Sequence, residues 1–156
     1  MSVEFDFHQQ RVVHLDLSSF ETVQSGTSIR TTLSIMRQNR IGAILVEDEN
    51  GKLIGIFTER DVLLKVASVP NIIERPVDDV MTDEPQCVRT VTSVGLALEL
   101  MNSGDYRNVP VQDENGFVVG NLSQQAMITF LTDHFPRQIY NLPPVPEMIP
   151  TTREGA

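Results

Sequence analysis

The chain has 156 residues, 40% of them apolar, with 12 basic and 21 acidic side chains and a net charge of 12 − 21 = −9. That apolar share suits one folded domain or two half-size units, and the acidic balance argues against a general nucleic-acid binder, which needs Lys and Arg for phosphates. No apolar run approaches the roughly 20 residues of a membrane span, the start MSVEFDFHQQ does not read as a secretory signal, and the single Cys87 permits no intrachain disulfide, so a cytoplasmic setting is expected.

In chain order, residues 1–15 read as an N-terminal extension. The extended stretch FETVQ then leads to a helix capped by Thr27 or Ser28, with Ile29, Leu33 and Met36 recurring at i, i+4 and i+7. A short apolar strand (IGAILV), a polar DENG turn and a second strand (KLIGIF) follow, and a second helix is expected from Thr58 through DVLLKVAS. The segment SVPNIIERPVDDVMTDEP, interrupted by Pro70, Pro76 and Pro85, links to a repetition of the whole pattern. Residue n matches residue n + 65: Val23 meets Val88, Ser28 meets Ser93, Leu33 meets Leu98, Met36 meets Met101, DENG at 48–51 meets DENG at 113–116, Gly55 meets Gly120, and Thr58 meets Ser123. The unchanged offset marks a duplicated supersecondary unit with conserved loop lengths. One such unit cannot cover both faces of its sheet, so the two copies are expected to pack on each other. The end, over 136–156, is Pro-rich yet carries Tyr140, Leu142, Val145, Met148 and Ile149, and part of it is expected to lie on another surface.

The stretch GIFTERD at 55–61 carries the chemistry. Gly55 admits close backbone approach. Thr58 stands where a helix begins, so its hydroxyl and the free amides there suit phosphate oxygens. Asp61 offers two acceptor oxygens suited to a ribose diol. The same hydroxyl and acid, three apart, also form a capping-box pattern that stabilises any helix start. Both readings stand at this point.

The tandem unit, VMT before the second copy, DENGKLIGIFTERD and its partner DENGFVVGNLS resemble a pair of cystathionine-β-synthase (CBS) domains, a Bateman module, over about residues 16–135. The resemblance implies an α+β fold of two tandem β-α-β-β-α repeats, packed with pseudo-two-fold symmetry through their sheets. The repeats would span 16–70 and 81–135, with a linker at 71–80. It implies an adenine nucleotide (AMP, ADP or ATP) in the cleft between repeats, with Gly55, Phe57, Thr58, Arg60 and Asp61 contributed by the first copy. The segment Pro85, Gln86 and Cys87 would lie beside the adenine, and Tyr106, Arg107 and Asn108 near adenine and phosphate. Arg107 is the natural phosphate counter-charge. Homodimers are common in such modules.

The second copy keeps Gly120 and Ser123 but has Ala126 where the acid belongs, and a methyl group cannot accept ribose hydrogen bonds. One competent site, built on Asp61, is therefore expected, and a second that is empty or differently used. The leading function is a non-enzymatic sensor read by an unknown protein target. The alternatives are an interaction module with a decayed site, or a binder of another adenosyl compound such as S-adenosylmethionine. No catalytic cofactor, metal site or catalytic residue is expected: His8, His14 and His134 are scattered, Cys87 has no partner pattern for a nucleophile, and no phosphate loop or nucleophile elbow is present. Asp78-Asp79 and Asp83-Glu84 read as solvated charge.

Overall fold

The computed structural model describes residues 9–134, so His8 and the Pro-rich stretch over 136–156 lie outside the described residues. The first copy contains β1 (Glu21–Gln24), α1 (Ile29–Asn39), β2 (Ala43–Glu47), β3 (Leu53–Thr58) and a short α2 (Glu59–Asp61). After a connecting strand β4 (Thr82–Asp83), the second contains β5 (Val88–Arg89), α3 (Val94–Gly104), β6 (Asn108–Gln112), β7 (Val118–Ser123) and α4 (Gln124–His134). The lead-in strand of each copy pairs in parallel with the strand after its helix, and that strand pairs antiparallel with the next.

The local devices that build one copy recur in the other. Ser28 and Ser93 cap α1 and α3, each hydroxyl accepting a hydrogen bond at 3.1 Å, from the amides of Thr31 and Leu96. Both helices end on a residue in the left-handed region, Arg40 and Asp105, each at φ 53°. In the hairpins, the Asp48 carboxylate accepts from the amides of Asn50 and Lys52, and Asp113 does the same for Asn115 and Phe117. Gly51 and Gly116 close these turns at φ 80° and 86°, where a side chain would be strained. The second-helix expectation holds in both copies, with a change of winding in the first. There α2 lasts three residues and passes into a π-helical turn, Val62–Val66, closed by the Ala67 amide on the Val62 carbonyl at 2.8 Å.

Each copy has its own core. Val23, Ile29, Met36, Ile44, Val46, Phe57 and Val66 fill the first, and Val88, Val94, Ala97, Met101, Val109, Leu122 and Phe130 the second. A third cluster of Ala43, Leu45 and Ile56, packed by Phe20, Leu53 and Val118, joins the inner faces of the two sheets. The packing is the pseudo-two-fold, sheet-to-sheet arrangement implied by the duplication.

The segments upstream of each copy do not pack where chain order suggests. The 3-10 turn Val12–His14 precedes the first copy but completes the second: the Val12 amide donates to the Thr92 carbonyl at 2.9 Å and the Val94 amide to the Gln10 carbonyl at 2.8 Å. The turn Val77–Asp79, at the same offset (77 − 12 = 65), precedes the second copy and completes the first. There the Val77 amide donates to the Thr27 carbonyl at 2.7 Å, and the Ile29 amide to the Arg75 carbonyl at 2.9 Å. Val12 and Val77 are each fully buried, in the second and first core respectively. Asp78 is correspondingly not idle solvated charge. Burial opposes its ionisation, but the Ser25 hydroxyl and the Gly26 amide both donate to it and hold its carboxyl below the ordinary range. Asp79 pairs with Arg75 at 2.6 Å.

Truncating Val12 to Ala leaves a void in the second core, and urea unfolding is expected to show a loss of about 2 kcal/mol. Val13→Ala next door, at a side chain 51% exposed, is expected to stay within about 0.5 kcal/mol of the parent.

Candidate functional site

Thr58 ends β3 opposite Ala43, with extended backbone, and the chain then turns into α2. The Glu59 amide caps back onto the Gly42 carbonyl at 3.2 Å, and in the second copy the Gln124 amide does the same on the Arg107 carbonyl at 2.8 Å. Each signature therefore abuts the start of its own copy's middle strand. Arg107 and Asn108, expected across from Thr58, adjoin Ser123: Asn108 and Ser123 are register partners in the second sheet.

Asp61 is only 5% exposed and is engaged by its own chain. One carboxylate oxygen, Oδ2, accepts from the Thr58 amide at 3.0 Å and from the Thr58 hydroxyl at 3.3 Å. The other, Oδ1, meets the Lys65 ammonium at 3.0 Å. The local-capping geometry is thus present at this helix start. Arg60, with a side chain 66% exposed, reaches across the copies to Asp105 at 3.7 Å. That contact brings the first signature alongside the Asp105–Arg107 segment of the second copy. Arg107 is exposed and makes no ion pair among the described residues.

Protein packing engages other expected site residues. Phe57 is fully buried in the first core. At Gly55 the strand lies against Met81, and an added Cβ would meet that side chain unless it shifted. Its counterpart Gly120 faces Leu17, and an added Cβ would lie 2.5 Å from the Leu17 Cβ. At both glycines the segment that introduces the other copy lies close against the strand. Strand β4 runs antiparallel to β3, with Gly55 opposite Asp83 and Ile56 opposite Thr82. The chain after Asp83 therefore heads for the Leu53 end of β3, where the Glu84 amide donates to the Ile54 carbonyl at 3.2 Å. Pro85, Gln86 and Cys87 follow Glu84, whose backbone is left-handed at φ 45°. The Cys87 thiol donates to the Pro85 carbonyl at 3.2 Å, and burial pushes it up, so it is a poor nucleophile. Tyr106 packs on Gly104 and lines a shallow hollow of about 180 Å³ between α3 and α4 with Leu98, Met101, Met127 and Leu131.

A larger cavity of about 390 Å³ opens beside the second signature, lined by Ser123, Gln125, Ala126 and Thr129 from one side and His14, Asp16 and Ser19 from the other, with Asp133 and His134 also on its wall. Sequence reasoning singled out none of His14, Asp16 and Ser19 as site residues. Extending the 65-residue offset upstream, from Val77 to Val12 and from Val80 to Leu15, would have marked this stretch as a paired lead-in. The Ser18 hydroxyl and amide both donate to Asp16 and hold its carboxyl below the usual range, so the cavity wall carries a negative charge. Asn121, fully buried, donates through its amide nitrogen to the Asn108 side chain at 3.0 Å and to the Ser19 carbonyl at 3.2 Å. Among the described residues no group of three or more His, Cys, Asp and Glu side chains is arranged to hold a metal ion, and no helix is long and apolar enough to cross a membrane.

The family described as "CBS domain" matches residues 12–68 and again residues 77–133. The chain belongs to the CBS domain family. Its two CBS repeats are 37% identical over 115 residues to the CBS domain-containing protein CBSCBSPB1 of Arabidopsis thaliana, covering 73% of this chain but 21% of that protein's length. Among solved structures, a CBS domain protein from Pyrobaculum aerophilum complexed with AMP superposes with a TM-score of 0.69 at 24% identity, over 79% of this chain and 98% of the other. The cytosolic domain of the Mg2+ channel MgtE in complex with ATP gives a TM-score of 0.67 at 25% identity, over 79% of this chain and 49% of the other.

Replacing Gly55 by Ala tests the packing role of the CBS glycine. It is expected to cost about 1–3 kcal/mol in chemical denaturation through the clash with Met81. In a Met81→Ala background the cost is expected to shrink by at least about 0.5 kcal/mol, a coupling visible in a double-mutant cycle.

Proposed function

We propose that this CBS pair is a non-enzymatic regulatory module that binds an adenine nucleotide, AMP, ADP or ATP, against the first signature. CBS pairs are generally regulatory modules rather than catalysts. The observation that carries the reading is the convergence of Thr58, Arg60 and Asp61 with the cross-copy segment Asp105–Arg107 through the Arg60–Asp105 contact. Thr58 and Asp61 supply a hydroxyl and a carboxylate beside that contact, and Arg107, exposed and two residues on from Asp105, supports a phosphate counter-charge from the second copy. The complexes of relatives with AMP and with ATP support the ligand class. In this reading Asp61 takes the ribose hydroxyls and Arg107 the phosphate. Ligand binding regulates only by favouring one of two packings over another, and an unidentified protein partner reads the difference.

Isothermal titration with AMP, ADP and ATP tests the site. Wild type is expected to bind at least one, and Asp61→Ala to bind it roughly tenfold to a hundredfold more weakly. Absence of heat with all three, or equal affinity in the variant, overturns the reading.

The second cavity favours another adenosyl compound lacking phosphate. Its wall includes Asp16 and Asp133 and, among the described residues, neither Lys nor Arg, so it disfavours an anion and suits a cation such as a sulfonium. In the second-cavity reading AMP fails to compete with such a compound.

The module is also proposed to act as a homodimer. Leu63 and Ile128, related by the duplication (128 − 63 = 65), are 72% and 49% exposed, and Leu64 beside them is 65% exposed. Paired apolar positions on the outer helices suit a two-fold contact with a second copy. Light scattering is expected to give twice the chain mass for wild type and the single chain mass for Leu63→Glu.

A further inference from the structure

Lys65 stands one helical turn beyond Asp61 and is used neither by the core nor by the proposed nucleotide contacts. Its ammonium lies 3.0 Å from Asp61 Oδ1 and 3.0 Å from the Val80 carbonyl oxygen. Val80 is buried in the first core, so its carbonyl is a fixed peg. With Thr58 on Oδ2, both oxygens of the Asp61 carboxylate are engaged. Asp61 is nearly inaccessible, whereas the Lys65 side chain is 42% exposed and has solvent to move into. In the second copy the same two positions are Ala126 (61 + 65) and Phe130 (65 + 65), so acid and amine are lost together. The duplication keeps the helix but not this pair.

We propose that Lys65 is the resident competitor for Asp61 and sets the affinity of the first site. The inference rests on the reading that Asp61 receives the ribose hydroxyls. A diol reaches those oxygens only when the ammonium, a strongly hydrated group on a flexible stem, leaves Asp61 for water. Apparent affinity is then reduced by the fraction of molecules in which the ammonium still holds the carboxylate. Release of Lys65 also frees the Val80 carbonyl, so occupancy of the crevice is communicated to the segment that joins the repeats. Lys65 is a positioning residue with the opposite sign to an ordinary ligand contact.

The test is AMP titration of wild type, Lys65→Met, Lys65→Arg and Asp61→Ala, with melting temperatures recorded without ligand. Lys65→Met is expected to bind AMP about threefold to tenfold more tightly than wild type while melting at a lower temperature; Lys65→Arg, which keeps the ion pair, is expected to stay near wild type. A purely structural lysine gives the lower melting temperature with unchanged or weaker affinity, and that result overturns the inference. If Lys65→Met does not fold, Lys65→Gln takes its place with the same expectation. Amine labelling of the wild type adds a readout that needs no variant, because the chain has two lysines, Lys52 and Lys65, and Lys52 lies in an exposed turn. Saturating AMP is expected to raise acetic anhydride labelling of Lys65 relative to Lys52; a fall means that Lys65 itself holds the nucleotide, and the competitor role is wrong. If wild type and Asp61→Ala both fail to bind AMP, the nucleotide reading fails and takes this inference with it. If wild type binds, Asp61→Ala weakens binding and Lys65→Met does not strengthen it, only the inference falls.

Discussion

Val12 is completely buried among side chains of the second CBS repeat, and Val77 is completely buried among those of the first. Each repeat therefore receives part of its core from the stretch of chain that introduces the other. Three consequences follow physically. The stretches must cross the sheets closely, which accounts for glycine at 55 and 120, where Met81 and Leu17 lie against the strand. They must be tied to the copy they complete, which accounts for the backbone bonds between Val12 and Thr92 and between Val77 and Thr27. And they become walls of whatever opens beside the sheets: His14, Asp16 and Ser19 on the second side, and the Val80 carbonyl on the first.

The two signatures have consequently diverged in opposite senses. At the first, the acid is present and the space around it is taken by Thr58, Lys65 and, through Lys65, Val80. At the second, the acid is replaced by Ala126, and a cavity of about 390 Å³ stands beside it. Residue identity and accessible volume thus point to different halves of the molecule. The contrast is one of charge as well as room. Arg60 reaches from the first signature to Asp105, while ionised Asp16 lies on the wall of the second cavity.

Much of the fold was legible because it is written twice. A cap at Ser28 is a guess on its own, but a cap at Ser28 and again at Ser93 with the same spacing to the following amide is a structural rule of this chain. The same holds for the DENG turns and for the left-handed helix ends. What escaped sequence reading lacked a duplicate or a local cause. The π-turn over Val62–Val66 has no counterpart in α4 and no residue pattern that announces it. The place of Phe57 inside the signature does not announce that its side chain is fully buried in the first core. Nothing local to Gly55 reveals that a methionine 26 positions later (81 − 55) lies against it. The three-residue spacing of hydroxyl and acid in the first signature does announce the capping arrangement that the chain adopts there.

The interlocked introductions also bear on descent. A lone repeat, standing before any duplication, would have carried its own introductory stretch with no other repeat in the chain to receive it. Two such molecules satisfy one another by trading arms, each plugging its partner. Joining them end to end turns a two-body encounter into a contact already guaranteed by the covalent chain. In the present chain the halves cannot be parted without leaving each core short of a buried valine.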